Sequence, residues 1–260
     1  MDLLARYDAD ERFAATSADT RREELPGLVR HVDLLGTSSI VLYSRLTSTS
    51  ADTAIQEQMA YFSALRHDLE WKAYAHDQPP DLVERLSRHG FSLDETEAIL
   101  VLDLLSPPLL DDAPPVRRIT RRDELRDVAA VRQRVYANRP VDALVDRLAY
   151  ELEHTPDGIS VYVADVDGAP AACAWIRFPG ASAFASLWGG STAPELRNRG
   201  LYTGLLAARV QAARRRGFRY VSVDARKTSR PILEKHGFEL LTFATACTWS
   251  PGAAGQENRH

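Results

Sequence analysis

Residues 194–204 read Pro-Glu-Leu-Arg-Asn-Arg-Gly-Leu-Tyr-Thr-Gly and join a predicted strand to a predicted helix. The first turn of a helix exposes unpaired N–H groups and a partial positive charge, so cations are unfavourable there. Arg197 and Arg199 nevertheless stand at this start, and residues 200–205 include no Asp or Glu. A bound pyrophosphate would reconcile the pattern, because N–H groups would hold its oxygens and Gly200 would let the backbone approach closely. The alternative is an arginine pair solvated in a loop.

The segment around this turn alternates predicted strands and helices. Asp167-Gly168 is typical of a two-residue hairpin turn, and Gly217 ends a helix after a basic last turn. The patterns predict a mixed α/β sheet, with strands at 116–119, 160–165, 171–178, 183–192, 220–223 and 238–249 and helices at 120–136, 141–153, 200–216 and 230–236.

Two eight-residue stretches resemble each other. Leu-Ser-Arg-His-Gly-Phe-Ser-Leu at 86–93 recurs as Leu-Glu-Lys-His-Gly-Phe-Glu-Leu at 233–240. Each combines the end of a short helix, a glycine stop and a phenylalanine that opens a strand. The pattern predicts a duplicated domain, and chance similarity is the alternative.

Proline-rich residues separate the two copies. Residues 106–115 hold four prolines and two acids, a composition that continues neither helix nor strand. We therefore expect domains at 1–110 and 116–250, a linker at 111–115 and a flexible tail at 251–260.

In this order and spacing, the motifs resemble the GNAT superfamily of N-acetyltransferases. The family's cofactor signature, Gln/Arg-x-x-Gly-x-Gly/Ala, lies at the turn from the fourth strand into the following helix. Arg197-x-x-Gly200 matches it, after Thr192-x-Pro194. The resemblance covers roughly residues 116–249, and the later segments similar to the fifth strand, last helix and closing strand are 224–225, 229–233 and 237–238.

The resemblance implies two domains of the α/β (α+β) class, each with a central twisted, largely antiparallel sheet flanked by helices. It also implies a V-shaped split between the fourth and fifth strands that takes the pantetheine arm of acetyl-coenzyme A. Gly190 and Thr192 would offer main-chain groups to that arm, and an N–H near Gly190 would polarise the thioester carbonyl. The cofactor-binding residues expected at the pyrophosphate turn are Arg197, Asn198, Arg199, Gly200, Leu201, Tyr202 and Thr203. A plain β-bulge at Gly189-Gly190 is compatible with this interpretation.

Several positions depart from the family pattern. Tyr202 replaces its second small residue, so the turn has to accommodate a ring beside the phosphates. Leu233 stands where many members place a tyrosine that protonates the departing thiolate, and leucine cannot donate a proton. Ser229 or water is the replacement, although an N-cap is the simpler interpretation of Ser229. Asp224 is the candidate catalytic base or amine-binding carboxylate, with an ordinary strand-end acid as the alternative.

The corresponding turn of the N-terminal copy lacks these features. Residues 44–52 read Ser-Arg-Leu-Thr-Ser-Thr-Ser-Ala-Asp, with no glycine for close approach and with Asp52 to repel phosphate. We expect a degenerate copy without the cofactor site, which shapes the acceptor pocket or an interface.

Composition and charge exclude several classes of protein. Residues 1–110 hold 10 basic and 19 acidic residues and the remainder 22 and 17, so the anionic cofactor is expected in the second part. The sequence contains no stripe of basic residues interleaved with aromatic residues, so nucleic-acid binding is not predicted. Cys173 and Cys247 lie alone in apolar runs, so no metal site is predicted. Without a signal-peptide pattern or an apolar stretch of ~20 residues, we expect a cytoplasmic protein with no membrane partner.

The sequence thus predicts an enzyme, an acyl-CoA-dependent N-acyltransferase that acetylates a small-molecule amine by direct attack on the acetyl-CoA thioester. One alternative is a non-catalytic acyl-CoA-binding or regulatory protein, motivated by Leu233. Another is an acetyltransferase for protein lysines or N-termini. A homodimer is left open.

Overall fold

The computed structural model describes residues 2–105, 114–137 and 140–252. The elements of the first copy are α1 (Leu3–Tyr7), a π-helical turn (Asp8–Phe13), β1 (Thr20–Leu25), β2 (Leu28–Asp33), β3 (Ser38–Ser44), α2 (Ala51–Leu65), β4 (Asp68–Tyr74), α3 (Leu82–Arg88), β5 (Ser92–Leu93) and β6 (Glu97–Asp103).

The second copy follows the predicted order of strands and helices. Its elements are β7 (Arg117–Ile119), α4 (Leu125–Val135), α5 (Asp142–His154), β8 (Ile159–Val166), β9 (Ala169–Arg177), β10 (Phe184–Thr192), α6 (Leu201–Arg215), β11 (Tyr220–Ala225), α7 (Arg230–Lys235) and β12 (Glu239–Trp249). Helix α4 begins later than predicted because residues 122–124 form a 3-10 turn. There the Glu124 carboxylate accepts the N–H groups of Thr120 and Arg121, each at 3.0 Å.

The chain forms two compact units that are not successive segments. Unit 1 comprises residues 1–99, 225–227 and 240–260, and unit 2 comprises 100–224 and 228–239. Strand β12 therefore completes unit 1, whereas the end of β6 belongs to unit 2. The two copies exchange their closing strands between the units. The predicted division at 1–110 and 116–250 stays a prediction, and most of its linker lies outside the described residues.

Unit 1 is a sheet in the order β1-β2-β3-β4-β12. Strands β3 and β4 are parallel, and the other neighbours pair antiparallel, with Cys247 of β12 opposite Trp71 of β4. Its core packs α2 and α3 on this sheet around fully buried Ile55, Phe62 and Leu86.

Unit 2 is a sheet in the order β7-β8-β9-β10-β11-β6. Strands β10 and β11 are parallel, and the pairs from β7 to β10 are antiparallel. One face packs on α4 and α5 through Cys173, Trp175 and their apolar neighbours. Helix α6 contacts β8, β9 and β10, and since side chains alternate along a strand, it covers the other face. The predicted fold class, a largely antiparallel mixed sheet flanked by helices, is confirmed.

The two motifs that suggested a duplication have matching geometry. Gly90 and Gly237 follow the short helices α3 and α7 with φ of +87° and +86°, the left-handed stop that glycine favours. Phe91 and Phe238 are both buried behind them.

Both cysteines lie in the core. Burial raises the pKa of each thiol to about 12, so neither is poised as a nucleophile. Within the described ranges, no cluster of three His, Cys, Asp or Glu side chains could hold a metal. In the same ranges, no helix has the length and apolar character needed to cross a bilayer.

Candidate functional site

The parallel strands β10 and β11 part within unit 2. Their ladder joins residues 184–187 to residues 220–223 and ends there, although β10 runs on to Thr192 and β11 to Ala225. Beyond Leu187 and Val223 the strands therefore leave a V-shaped split. This is the feature that the resemblance implied at the fourth and fifth strands.

A β-bulge lies on the β10 side of this split. Trp188 faces Trp175 across the ladder to β9, and Ser191 faces Cys173, so β10 takes one residue more than β9 between them. The extra residue is accommodated at Gly189-Gly190. Bulges disrupt the ladder and redirect the chain locally, and this one lies on β10 directly after the point where β10 and β11 separate.

Two aromatic rings hold the bulge in place. A Cβ on Gly189 would lie 1.9 Å from the Trp175 ring, and Gly189 has a φ of +64° that other residues rarely adopt. A Cβ on Gly190 would lie 2.9 Å from the Tyr202 ring. Only glycine fits at Gly189, and the backbone of the bulge has little freedom to move.

The Tyr202 ring is turned into the protein. It packs on Gly190, so it does not crowd the start of α6 as the sequence suggested. Burial raises the pKa of the Tyr202 hydroxyl, and the neighbouring Arg209 guanidinium opposes that rise. At the turn, Tyr202 therefore presents its backbone.

The turn before α6 has the properties of an anion site. Arg197 and Arg199 are exposed, and neither forms an ion pair with any residue that the structure describes. Asn198 and Gly200 both have positive φ, at +62° and +74°, and alternating backbone of this kind brings N–H groups together in a concave nest. The first turn of α6 carries no acid.

Pro114, which leads into β7, lies against the same turn. A Cβ on Gly204 would be 2.5 Å from the Pro114 carbonyl oxygen, and one on Gly200 would be 3.3 Å from its ring. A side chain at Gly200 would therefore disturb packing as well as a ligand, which makes Arg197 and Arg199 the cleaner probes of the turn.

The residues of the split fit a ligand with a pyrophosphate and a polar arm. The buried Thr192 hydroxyl has no hydrogen-bond partner among the described residues. Unsatisfied buried polar atoms are rare in folded proteins, and a bound water, ion or ligand is one explanation for them. The nest, the two arginines and the open edge of β10 supply the rest of the recognition set.

The comparisons with known proteins agree with this geometry. The model of the acetyltransferase (GNAT) family matches residues 124–238, which include the split, the bulge and the turn. Residues 124–238 belong to the GNAT family. No curated protein matches the chain.

Solved structures extend the likeness beyond the GNAT domain. A GCN5-related N-acetyltransferase from Kribbella flavida is 17% identical, with a TM-score of 0.72 and 97% of each chain covered. A functionally unknown conserved protein from Staphylococcus epidermidis is 15% identical, with a TM-score of 0.67, covering 92% of this chain and 97% of the other. A tandem GNAT protein from the clavulanic acid biosynthesis pathway is 18% identical, with a TM-score of 0.59 and coverage of 92% and 86%. At these identities the matches show the fold alone, and they show it over both copies.

The structure places the predicted catalytic residues of the GNAT domain in three different local settings. Asp224 is the first residue of β11 beyond the ladder. Ser229 stands at the N-cap position of α7, where its side chain makes no capping hydrogen bond. Leu233 is fully buried, so the position of the family's tyrosine holds a core residue. The roles of Asp224 and Ser229 stay predictions.

Sequence reasoning missed Trp188. Its side chain is 43% exposed on β10 directly before the bulge. Ser186 and Ser222 face each other in the ladder, so alternation puts Trp188 and Asp224 on the same face of the sheet. The signal that could have found it in the sequence is a tryptophan directly before a Gly-Gly pair.

The N-terminal copy has the same split, but a side chain fills it. Strands β3 and β4 pair over residues 38–41 and 68–71 and then part. The Arg12 guanidinium lies 3.8 Å from the centroid of the Tyr74 ring and 5.3 Å from that of Tyr43, and it donates to both Asp77 carboxylate oxygens at 2.7 and 2.9 Å. A buried ion pair thus lies where β3 and β4 separate.

The turn before α2 is closed as well. Asp52, in the first turn of α2, pairs with Arg85 and hydrogen-bonds His89 at 2.9 Å. Thr47 and Ser50 hydrogen-bond each other's side chains and backbone. The side chains and backbone of this turn thus hydrogen-bond one another, and the expected loss of the cofactor site from this copy stays a prediction.

Replacing Arg12 with glutamine is expected to lower the free energy of unfolding by about 3–5 kcal/mol, because it leaves Asp77 buried without its counter-charge. Urea denaturation measures the loss. The exposed Arg21→Gln variant is the control and should be unchanged. A loss below about 1 kcal/mol, the range of a solvated surface pair, would show that the pair in the N-terminal split is not rigidly held.

Proposed function

We propose that the GNAT domain transfers the acetyl group of acetyl-CoA to a small-molecule amine. One observation carries the proposal: β10 and β11 separate beside a clamped bulge and a turn whose Arg197 and Arg199 form no ion pair with any residue that the structure describes. The equivalent split in the N-terminal copy is filled by Arg12. Of the two copies, only the second has the features that an acyl donor requires.

The donor would be held along β10 and at the start of α6. Main-chain groups of Gly190 and Thr192 would meet the pantetheine arm, and residues 197–203 would hold the pyrophosphate. Acetyl-CoA supplies an acyl group activated as a thioester. The backbone N–H groups of the bulge polarise the carbonyl of such a group, since charge develops on its oxygen during transfer.

The acceptor would bind on the face of Trp188 and Asp224. An aromatic ring and a carboxylate on one face would form a recognition set for an ammonium group, and the Trp188 ring already attracts a cation, the Arg177 guanidinium 4.9 Å from its centroid. The amine nitrogen forms the new C–N bond, the electron pair of the C–S bond leaves with sulfur, and the nitrogen proton passes to Asp224 or water. With Leu233 buried, Ser229 or solvent is left to protonate the thiolate.

Release of free CoA thiol by the full chain over a panel of primary amines tests the proposal. Asp224→Asn is expected to lower kcat/KM about a hundredfold or more if Asp224 is the base, the usual scale for such a group. The exposed acid Asp157, changed to Asn, is the control and should keep parent activity.

The alternatives give different outcomes in the same assay. Binding of acetyl-CoA without turnover of any amine would favour a binding module. Turnover confined to lysine peptides or peptide N-termini would favour a protein acetyltransferase.

A further inference from the structure

Arg209 is a buried cation without a counter-charge among the residues that the structure describes. Its side chain projects from α6 and is 2% exposed. Its Nε donates to the Leu205 carbonyl oxygen at 2.9 Å, and its Nη2 has no hydrogen-bond partner among the described residues. Burial lowers the pKa of the guanidinium, and the groups that oppose this are tyrosines and a cysteine rather than carboxylates. A charge buried in this way destabilises a fold.

Arg12 shows what a structurally compensated arginine looks like in this protein. It is equally buried, but Asp77 binds it through two oxygens and Asp8 through a third contact. The difference between the two arginines is therefore the missing carboxylate at Arg209, not the depth of burial.

The position of Arg209 gives a reason for the missing partner. Its Nη1 lies 3.5 Å from the carbonyl oxygens of both Trp175 and Trp188, the ladder pair directly before the Gly189-Gly190 bulge. A bulge disrupts the ladder locally, and the guanidinium reaches two carbonyl oxygens directly beside it. The Tyr202 ring, which packs on Gly190, is its neighbour on α6.

We propose that Arg209 is a positioning residue for acyl transfer. It fixes the backbone of the bulge, and its charge lies beside the bulge, whose N–H groups would polarise the thioester carbonyl. A carboxylate at Arg209 would cancel the positive field where negative charge develops, so the fold keeps the cation unpaired. The proposal rests on the proposed acetyl transfer.

Arg209→Met tests it, because methionine fills similar space without charge. In the full chain, we expect kcat to fall about a hundredfold, as for loss of one oxyanion-stabilising group. KM for acetyl-CoA should stay within about threefold of the parent, since the pyrophosphate turn is untouched. The melting temperature of the ligand-free protein should be unchanged or higher, and amide exchange at residues 188–190 should be faster. Arg209→Lys restores the positive charge but not the planar guanidinium group, and its kcat should be about tenfold higher than that of Arg209→Met.

Arg12→Met is the matched control, since removing the partner of buried Asp77 should lower the melting temperature. A parent-like kcat and parent-like exchange in Arg209→Met would overturn the inference. A second result would also overturn it: Arg209→Met lowers the melting temperature as much as Arg12→Met does, and the kcat of Arg209→Lys is no higher than that of Arg209→Met. If the unsubstituted protein acetylates no amine, the proposed function is refuted instead, and the amide-exchange data still test whether Arg209 positions the bulge.

Discussion

Replacing Gly189 with alanine is expected to lower kcat for acetyl transfer at least about a hundredfold. The new Cβ would lie 1.9 Å from the Trp175 ring, so either the ring or the bulge has to move. Because a bulge N–H is the proposed carbonyl-polarising group, a displacement of less than an ångström removes its alignment. Steady-state kinetics at saturating acetyl-CoA measures the effect.

Gly168→Ala is the control for backbone strain. Gly168 has a φ of +77° with no atom within 4 Å of a Cβ, so alanine there has the conformational cost of about 1–2 kcal/mol without a clash. Both variants should lose that stability, and Gly189→Ala alone should lose activity. Adding Trp175→Leu to Gly189→Ala should recover part of kcat. A Gly189→Ala enzyme within about threefold of parent kcat would contradict a polarising bulge.

Replacing both Arg197 and Arg199 with glutamine is expected to raise KM for acetyl-CoA about ten- to hundredfold, because a charge-assisted phosphate contact contributes roughly 1.5–3 kcal/mol. KM for the amine should change little, since the arginines lie at the start of α6 rather than on the Trp188 face. The ligand-free protein should gain slightly in melting temperature, because the two cations oppose the helix dipole by about 0.3–1 kcal/mol each.

The control removes the same charge elsewhere. Arg118 and Arg215 are exposed residues of unit 2, and their double Gln variant should keep the parent KM for acetyl-CoA. Melting curves with and without CoA complete the experiment. If the CoA-induced thermal shift of the Arg197/Arg199 variant equals that of the parent, the arginines are solvated in a loop and the turn is not the pyrophosphate site.

The sequence was most informative where a single residue type is physically required. Asp167-Gly168 predicted a hairpin turn, and both residues have positive φ, at +52° and +77°. The split also followed from the sequence, because the order of strands around Gly189-Gly190 and Arg197-x-x-Gly200 resembles one family.

Side-chain direction was beyond the sequence. Tyr202 was expected beside the phosphates, but glycine at position 190 leaves room for its ring inside, and that complementarity joins residues on different elements. Arg209 and Arg12 were missed for the same reason. An arginine in a helix is usually solvated, and only the packed structure shows that both are buried.

The exchange of closing strands also affects when each unit can complete its fold during translation. Strand β12 follows every other described element along the chain, yet it is the partner of β4 in unit 1. Domains usually fold as they emerge from the ribosome, but unit 1 lacks β12 until that strand is translated. Until then β4 is an unpaired edge strand, which can pair with the wrong strand. A premature stop before residue 240 therefore removes a strand of unit 1, while the chain segment with the GNAT motif has already been translated.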